Sequence, residues 1–204
     1  MICAAMNARS LLLAMILFMG GCATLPQGAV LPESLPADWE SRRSVLQQWP
    51  RFDVQGRVAV ANGAEGFTAA LHWAQRARDA SVELQGPFGM GGLRLRLTDG
   101  RFANESARVE LEQQLGFVLP IESLRYWMLG VPDPARAVEE QRDGSVERLV
   151  SLRQEGWQVS FTSYGPVAGV DYDLPQRIEA TREGVRVRLL IERWGAASHS
   201  GAGG

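Results

Sequence analysis

Apolar side chains recur at every second position from Phe52, about a quarter of the way along the chain. Phe52, Val54, Gly56, Val58 and Val60 alternate with Asp53, Gln55 and Arg57, and Phe67, Ala69, Leu71 and Trp73 repeat the rhythm. A period of two sends neighbouring side chains to opposite faces of a strand. These runs therefore predict two antiparallel strands with one apolar and one wet face, joined through Asn62-Gly63-Ala64-Glu65-Gly66. Val82 and Leu84 predict a short third strand, and Leu93, Leu95 and Leu97 around Arg94 and Arg96 a fourth.

The period then changes. Glu105 to Leu115 carries Val109, Glu112 and Gln113 at helical spacing, and Ile121 to Leu129 is a second, strongly apolar helix. Gly116 and Pro120 break the chain before that second helix, and Gly130-Val131-Pro132 ends it. Strand composition resumes after about Arg136, in Val146 to Leu152, Trp157 to Tyr164, Arg177 to Thr181 and Val185 to Trp194. Asp143-Gly144, Glu155-Gly156 and Glu183-Gly184 supply the hairpin turns between them. Upstream, Asp38 to Trp49 spaces Trp39, Val45, Leu46 and Trp49 as a helix, with Asp38 as its cap. One antiparallel sheet with a helical insertion in its middle is an α+β domain. A strongly curved sheet with helices over its mouth fits that order, and so does a flat sheet with helices on one face.

The first residues follow a different logic. Arg9, the apolar run Leu11 to Met19 and the small pair Gly20-Gly21 before Cys22 are the parts of an export signal. The apolar run is shorter than the roughly 20 residues that span a bilayer. Residues 1–21 are expected to be removed, starting from Met1 or Met6, and Cys22 to carry lipid. Cys3 falls in the removed segment, so Cys22 has no disulfide partner in the mature chain. Residues 22–37, rich in proline and without periodicity, read as a flexible tether, 38–195 as the domain and 196–204 as a disordered tail. Ala23 after the cysteine is compatible with sorting to the outer membrane.

Composition narrows the chemistry. The formal net charge is −2 and the basic residues are scattered, which argues against a nucleic-acid partner. All 21 basic residues are arginine, so no P-loop lysine exists. His72 sits on a strand as a solvent-facing residue and His199 in the tail, a poor basis for a metal site. No Gly-x-Ser-x-Gly or His-Glu-x-x-His motif is present, and Glu139 with Glu140, or Asp171 with Asp173, read as solvated loop charges. The expectation is a protein without cofactor or metal that is not an enzyme.

What does stand out is apolar surface in a turn. Gly86-Pro87-Phe88-Gly89-Met90-Gly91-Gly92 joins two strands where polar residues are the norm. Phe88 and Met90 either fold back to plug the core or protrude as a small wedge, worth about 1.5–3 kcal/mol for a phenylalanine placed in a bilayer.

At this loop and at the second helix the chain resembles the LolB family of outer-membrane lipoproteins. The matching pieces fall in order: the signal ending at Cys22, Leu71-His72-Trp73-Ala74-Gln75, Gly86-Pro87-Phe88-Gly89, the segment Leu119 to Pro132, Gly156-Trp157-Gln158-Val159 and the strand closing at Trp194. The pattern Leu124-Arg125-x-Trp127-x-x-Gly130-x-Pro132 is the most specific of them, and the family loop usually carries leucine where this chain has Phe88. The resemblance implies an unclosed antiparallel β-barrel with an α-helical lid and an apolar cavity. It implies a monomer that accepts lipoproteins from the periplasmic carrier LolA and inserts them into outer-membrane phospholipid without nucleotide hydrolysis. Leu71, Trp73, Leu84, Leu95, Leu124, Trp127, Met128 and Leu129 are the expected cavity and lid residues, and Phe88 with Pro87, Gly89 and Met90 the membrane-insertion loop. The competing expectation is a structural or lipid-binding envelope lipoprotein with a filled core.

Overall fold

The computed structural model describes residues 32, 34–86, 92–145 and 147–195. The signal peptide, Cys22, most of the tether, the loop residues Pro87, Phe88, Gly89 and Met90, and the tail at 196–204 lie outside the described residues. The elements run α1 (Trp39–Gln47), β1 (Arg51–Asn62), β2 (Glu65–Arg76), β3 (Asp79–Gln85), β4 (Gly92–Thr98), β5 (Arg101–Phe102), α2 (Glu105–Leu115), α3 (Ile121–Met128), β6 (Glu139–Asp143), β7 (Arg148–Gln154), β8 (Trp157–Pro166), β9 (Asp173–Arg182) and β10 (Val185–Gly195).

The strands form one ten-stranded sheet in the order β5-β4-β3-β2-β1-β10-β9-β8-β7-β6. Every neighbouring pair is antiparallel, and the end strands β5 and β6 do not pair with each other. The architecture is an unclosed antiparallel barrel of the α+β class, with helices inserted between its two halves. Its curvature has local causes. The β1–β10 register shifts between Gln55 and Gly56, and β8 shifts twice near Ser163. Such bulges bend the strand and sharpen its twist. At Gly56 a Cβ would lie 2.0 Å from the Leu190 carbonyl oxygen, so only glycine permits this approach of β1 to β10.

The predicted alternation places Phe52, Val54, Leu71, Trp73, Val82, Leu95 and Leu97 in the interior. Asp38 caps α1 by accepting the Ser41 amide at 2.9 Å. Three details differ from the sequence reading. The joint between the first two strands is shorter than the stretch Asn62 to Gly66, because β1 runs to Asn62 and β2 begins at Glu65, leaving the two-residue turn Gly63-Ala64. The buried face of α2 is Leu111 and Leu115, four residues apart, whereas Val109 is 37% exposed. Glu139 and Glu140 are not loop charges but part of the edge strand β6. That strand lacks apolar alternation because an edge protects its unpaired backbone with charge. Glu140 is also used in packing, since it accepts the Trp39 indole N–H at 2.9 Å and the Arg43 guanidinium at 3.0 Å.

An apolar cavity beneath two helices

The inner face of β1 to β4 and β10 is covered by α2, α3 and the link between them. A cavity of about 70 Å³ remains there. Its walls are Val58 and Val60 of β1, Phe67, Leu71 and Trp73 of β2, Val82 and Leu84 of β3, Leu95 of β4, and Val187 and Leu189 of β10. The helices contribute Leu111, Leu115, Ile121, Leu124 and Met128, with Leu119 between them. All of these side chains are apolar except for the Trp73 indole N–H, which donates to Gln75 Oε1 at 2.8 Å and so presents only ring to the void. A dry apolar cavity stays empty of water because water needs polar partners. Phe67 is the most exposed of the lining side chains, at 39%.

The two covering helices are held very differently. α3 is riveted by buried polar contacts. Arg125 is 8% exposed and donates to the carbonyls of Ala77 at 3.0 Å and Trp49 at 3.4 Å. Burial holds the Arg125 guanidinium below its ordinary range, partly offset by Tyr126 and Asp133. Ser123 donates to Asp133 at 2.9 Å, and the Trp127 indole donates to Gln154 at 3.0 Å. By contrast α2 buries two leucines, and its C-terminus is held by Asn62, whose amide donates to the Leu115 carbonyl at 3.2 Å. The ion pairs of Arg108 with Glu105 and Glu112 lie within α2 itself and fasten it to nothing.

A family described as outer membrane lipoprotein LolB matches residues 50–194. The chain belongs to the LolB family. Outer-membrane lipoprotein LolB of Pseudomonas fluorescens is 30% identical over 190 residues, covering 88% of this chain and 91% of that protein. Outer-membrane lipoprotein LolB of Nitrosococcus oceani is 30% identical over 196 residues, with 91% and 96% covered. Among solved structures, a LolA superfamily protein of Nitrosomonas europaea aligns at 10% identity over 80% of this chain and 95% of that one, a loose likeness with a TM-score of 0.48. Membership makes this chain a lipoprotein of the outer membrane with a part in lipoprotein localisation.

Within this LolB-family domain the expected site residues divide. Leu71, Trp73, Leu84, Leu95, Leu124 and Met128 line the cavity together. Trp127 and Leu129 do not. Trp127 packs against Trp157 with ring centroids 6.4 Å apart and is tied to Gln154. Leu129 faces a separate depression shared with Trp39, Tyr164 and Leu174. Helical periodicity placed both on an apolar helix, but it could not tell which side of that helix meets the void. Leu111 and Leu115 were missed as lining residues, although their spacing of four was a readable signal. His72, expected to face solvent, is half-exposed and lies 2.8 Å from Asp53 across β1 and β2. The insertion-loop residues lie outside the described residues, and only the loop's ends are placed. Gln85 and Gly92 are paired in register, so residues 87–91 connect neighbouring strands β3 and β4 directly beyond that pair.

Proposed function

We propose that this chain accepts lipoproteins from a LolA-type periplasmic carrier and inserts them into the outer membrane, shielding their acyl chains in the cavity without nucleotide hydrolysis. The observation that carries this reading is the wholly apolar wall beneath a lightly fastened helix. Each methylene withdrawn from water contributes about 0.8 kcal/mol, so acyl chains need such a shield in transit. In the closed form the void is far below the roughly 300–1,000 Å³ of a ligand site, so cargo must lift part of the cover. Lifting α2 exposes Leu111 and Leu115 at a cost of about 3–6 kcal/mol. Burial of roughly four to eight methylene groups offsets that cost. Cargo can thus open the lid by its own burial, and transfer proceeds from weaker to tighter burial with no other energy source.

In this reading residues 1–21 are the removed signal, Cys22 carries the lipid and residues 22–37 tether the domain, which works as a monomer. Phe88, with Pro87, Gly89 and Met90, enters the phospholipid at the moment of release. One phenylalanine contributes about 1.5–3 kcal/mol there, sufficient for transient contact beside a lipid anchor. Phe88→Glu is expected to leave cargo uptake from the carrier intact and to lower release into liposomes at least tenfold. The measurement is a two-step transfer assay with purified protein, and equal loss at both steps sinks the division of roles. Failure of the mature protein to take up any acyl probe would leave the structural-lipoprotein reading in its place.

A further inference from the structure

The outer face of the same strands carries an open groove of about 660 Å³. Strand register lines up one side chain from each of five neighbouring strands along it. Arg193 of β10 opposes Gln55 of β1, Gln55 opposes His72 of β2, His72 opposes Glu83 of β3, and Glu83 opposes Arg94 of β4. In β2, β3 and β4 these residues alternate with the cavity-lining Leu71, Leu84 and Leu95, so the ladder points away from the cavity. On the next rung Ala70 and Gly92 have little or no side chain, which lowers the floor and creates the groove. The groove reaches Gln85 and Gly92, the closing pair of the 87–91 loop.

Neighbouring rungs of this ladder are about 4.8 Å apart, with arginines at its two ends and the Glu83 carboxylate one rung in from Arg94. The Glu83 carboxylate lies 3.2 Å from Arg94 in an exposed pair, which a ligand can exchange at small cost. Gln55 accepts from Arg193 at 2.5 Å, and His72 is steadied by Asp53 at 2.8 Å. The Arg193 guanidinium and the Gln55 amide bring N–H groups to this end of the groove beside His72, Glu192 of the same lining is paired with Arg57, and the Glu83 carboxylate stands one strand beyond His72.

We propose that this groove binds the zwitterionic head group of a phospholipid, with the phosphate at Gln55 and His72 within reach of Arg193, and the ammonium at Glu83. A two-carbon link between phosphate and ammonium spans about one strand spacing. The assignment of a lipid as the source rests on the reading that the adjoining 87–91 loop enters the bilayer. A head group seated here sets the depth and orientation of the domain while the apolar loop goes deeper.

The test uses the mature chain and water-soluble glycerophosphoethanolamine, followed through the backbone amides of residues 55, 72 and 83 by NMR. Glycerophosphoethanolamine is expected to bind about tenfold more tightly than inorganic phosphate, because only it engages Glu83. Glu83→Gln is expected to abolish that preference while leaving the phosphate response. No response to glycerophosphoethanolamine, or equal affinity for it and inorganic phosphate, overturns the proposal. In flotation assays, vesicles of phosphatidylethanolamine with phosphatidylglycerol are expected to retain the protein at least fivefold better than phosphatidylglycerol alone. Equal retention on both vesicles overturns the lipid as source. Phe88→Glu separates the two readings, since it is expected to keep glycerophosphoethanolamine binding while losing insertion. Full insertion by that variant refutes the loop reading and leaves the head-group result to be judged by its own titration.

Discussion

The two halves of the sheet are built to opposite ends. On one side β1 to β4, with β10 at the seam, face a void walled by aliphatic side chains. On the other, β7, β8 and β9 close on a filled core in which Trp127, Trp157, Leu149, Leu152 and Leu174 are all at most 1% exposed. The filled half also buries a polar network. Gln154 accepts from the Trp127 indole at 3.0 Å and the Asp133 amide at 3.1 Å, and donates to the Asp133 carbonyl at 3.0 Å and the Arg136 carbonyl at 3.2 Å. Directional bonds of this kind specify one arrangement and resist any other. Aliphatic walls specify no partner and accept any chain of similar polarity. Directional polar bonding is thus confined to one half and the apolar void to the other, a division the proposed function uses for receiving cargo, and α3, tied by Trp127 to the filled side and lining the void with Leu124 and Met128, joins them.

The sharpest way to break this comparison is at Gln154. Gln154→Leu leaves the Trp127 and Asp133 groups buried without partners and is expected to cost about 3–5 kcal/mol, read by urea denaturation with an unchanged slope. A loss below about 1 kcal/mol would remove the network from the explanation of rigidity. Next come paired truncations. Leu152→Ala in the filled half is expected to cost about 4 kcal/mol, and Leu95→Ala, which already borders the void and has fewer atoms to lose contact with, about 2 kcal/mol. Equal costs would mean that the two halves are packed alike. Asn62→Ala is expected to cost about 1 kcal/mol and to speed hydrogen exchange in α2 but not in α3, with faster uptake of a fluorescent fatty acid. Matching protection in both helices would contradict a lightly fastened α2.

The smallest effect is at α1, which packs Trp39 and Leu46 over the filled half. The Ser41 backbone hydrogen bond holds the Asp38 carboxyl below its ordinary value of 3.8. A depressed folded pKa means a contribution that is complete above the unfolded value and lost as pH falls through the folded one. Asp38→Asn keeps the cap acceptor and removes this titration, so the acid limb of stability is expected to flatten slightly below about pH 4. An unchanged acid limb would show that the cap carries no linkage.

Much of this was legible residue by residue. The alternation from Phe52 to Trp73 announced two strands and their inner face, and Asp38 announced a helix start. Leu124, Met128 and the strand leucines were readable as cavity candidates once the family resemblance supplied a cavity to line. β6 was not legible because Glu139 to Asp143 has no apolar rhythm, and an edge strand needs none. Trp127 and Leu129 were assigned to the void because Trp127-Met128-Leu129 are three consecutive apolar residues, which at about 100° each turn to different sides of a helix end, and only Met128 meets the void.

What the sequence by itself determined is local. Side-chain period set strand and helix, and turn residues set the hairpins. The tertiary structure alone decided which apolar faces meet each other and which are left facing a void. It also decided which of two helices is bolted by Arg125 and Trp127 and which rests on two leucines. The reason is that periodicity measures only how a segment divides apolar from polar. Whether an apolar face is filled or hollow depends on the volume supplied by segments far away in the chain.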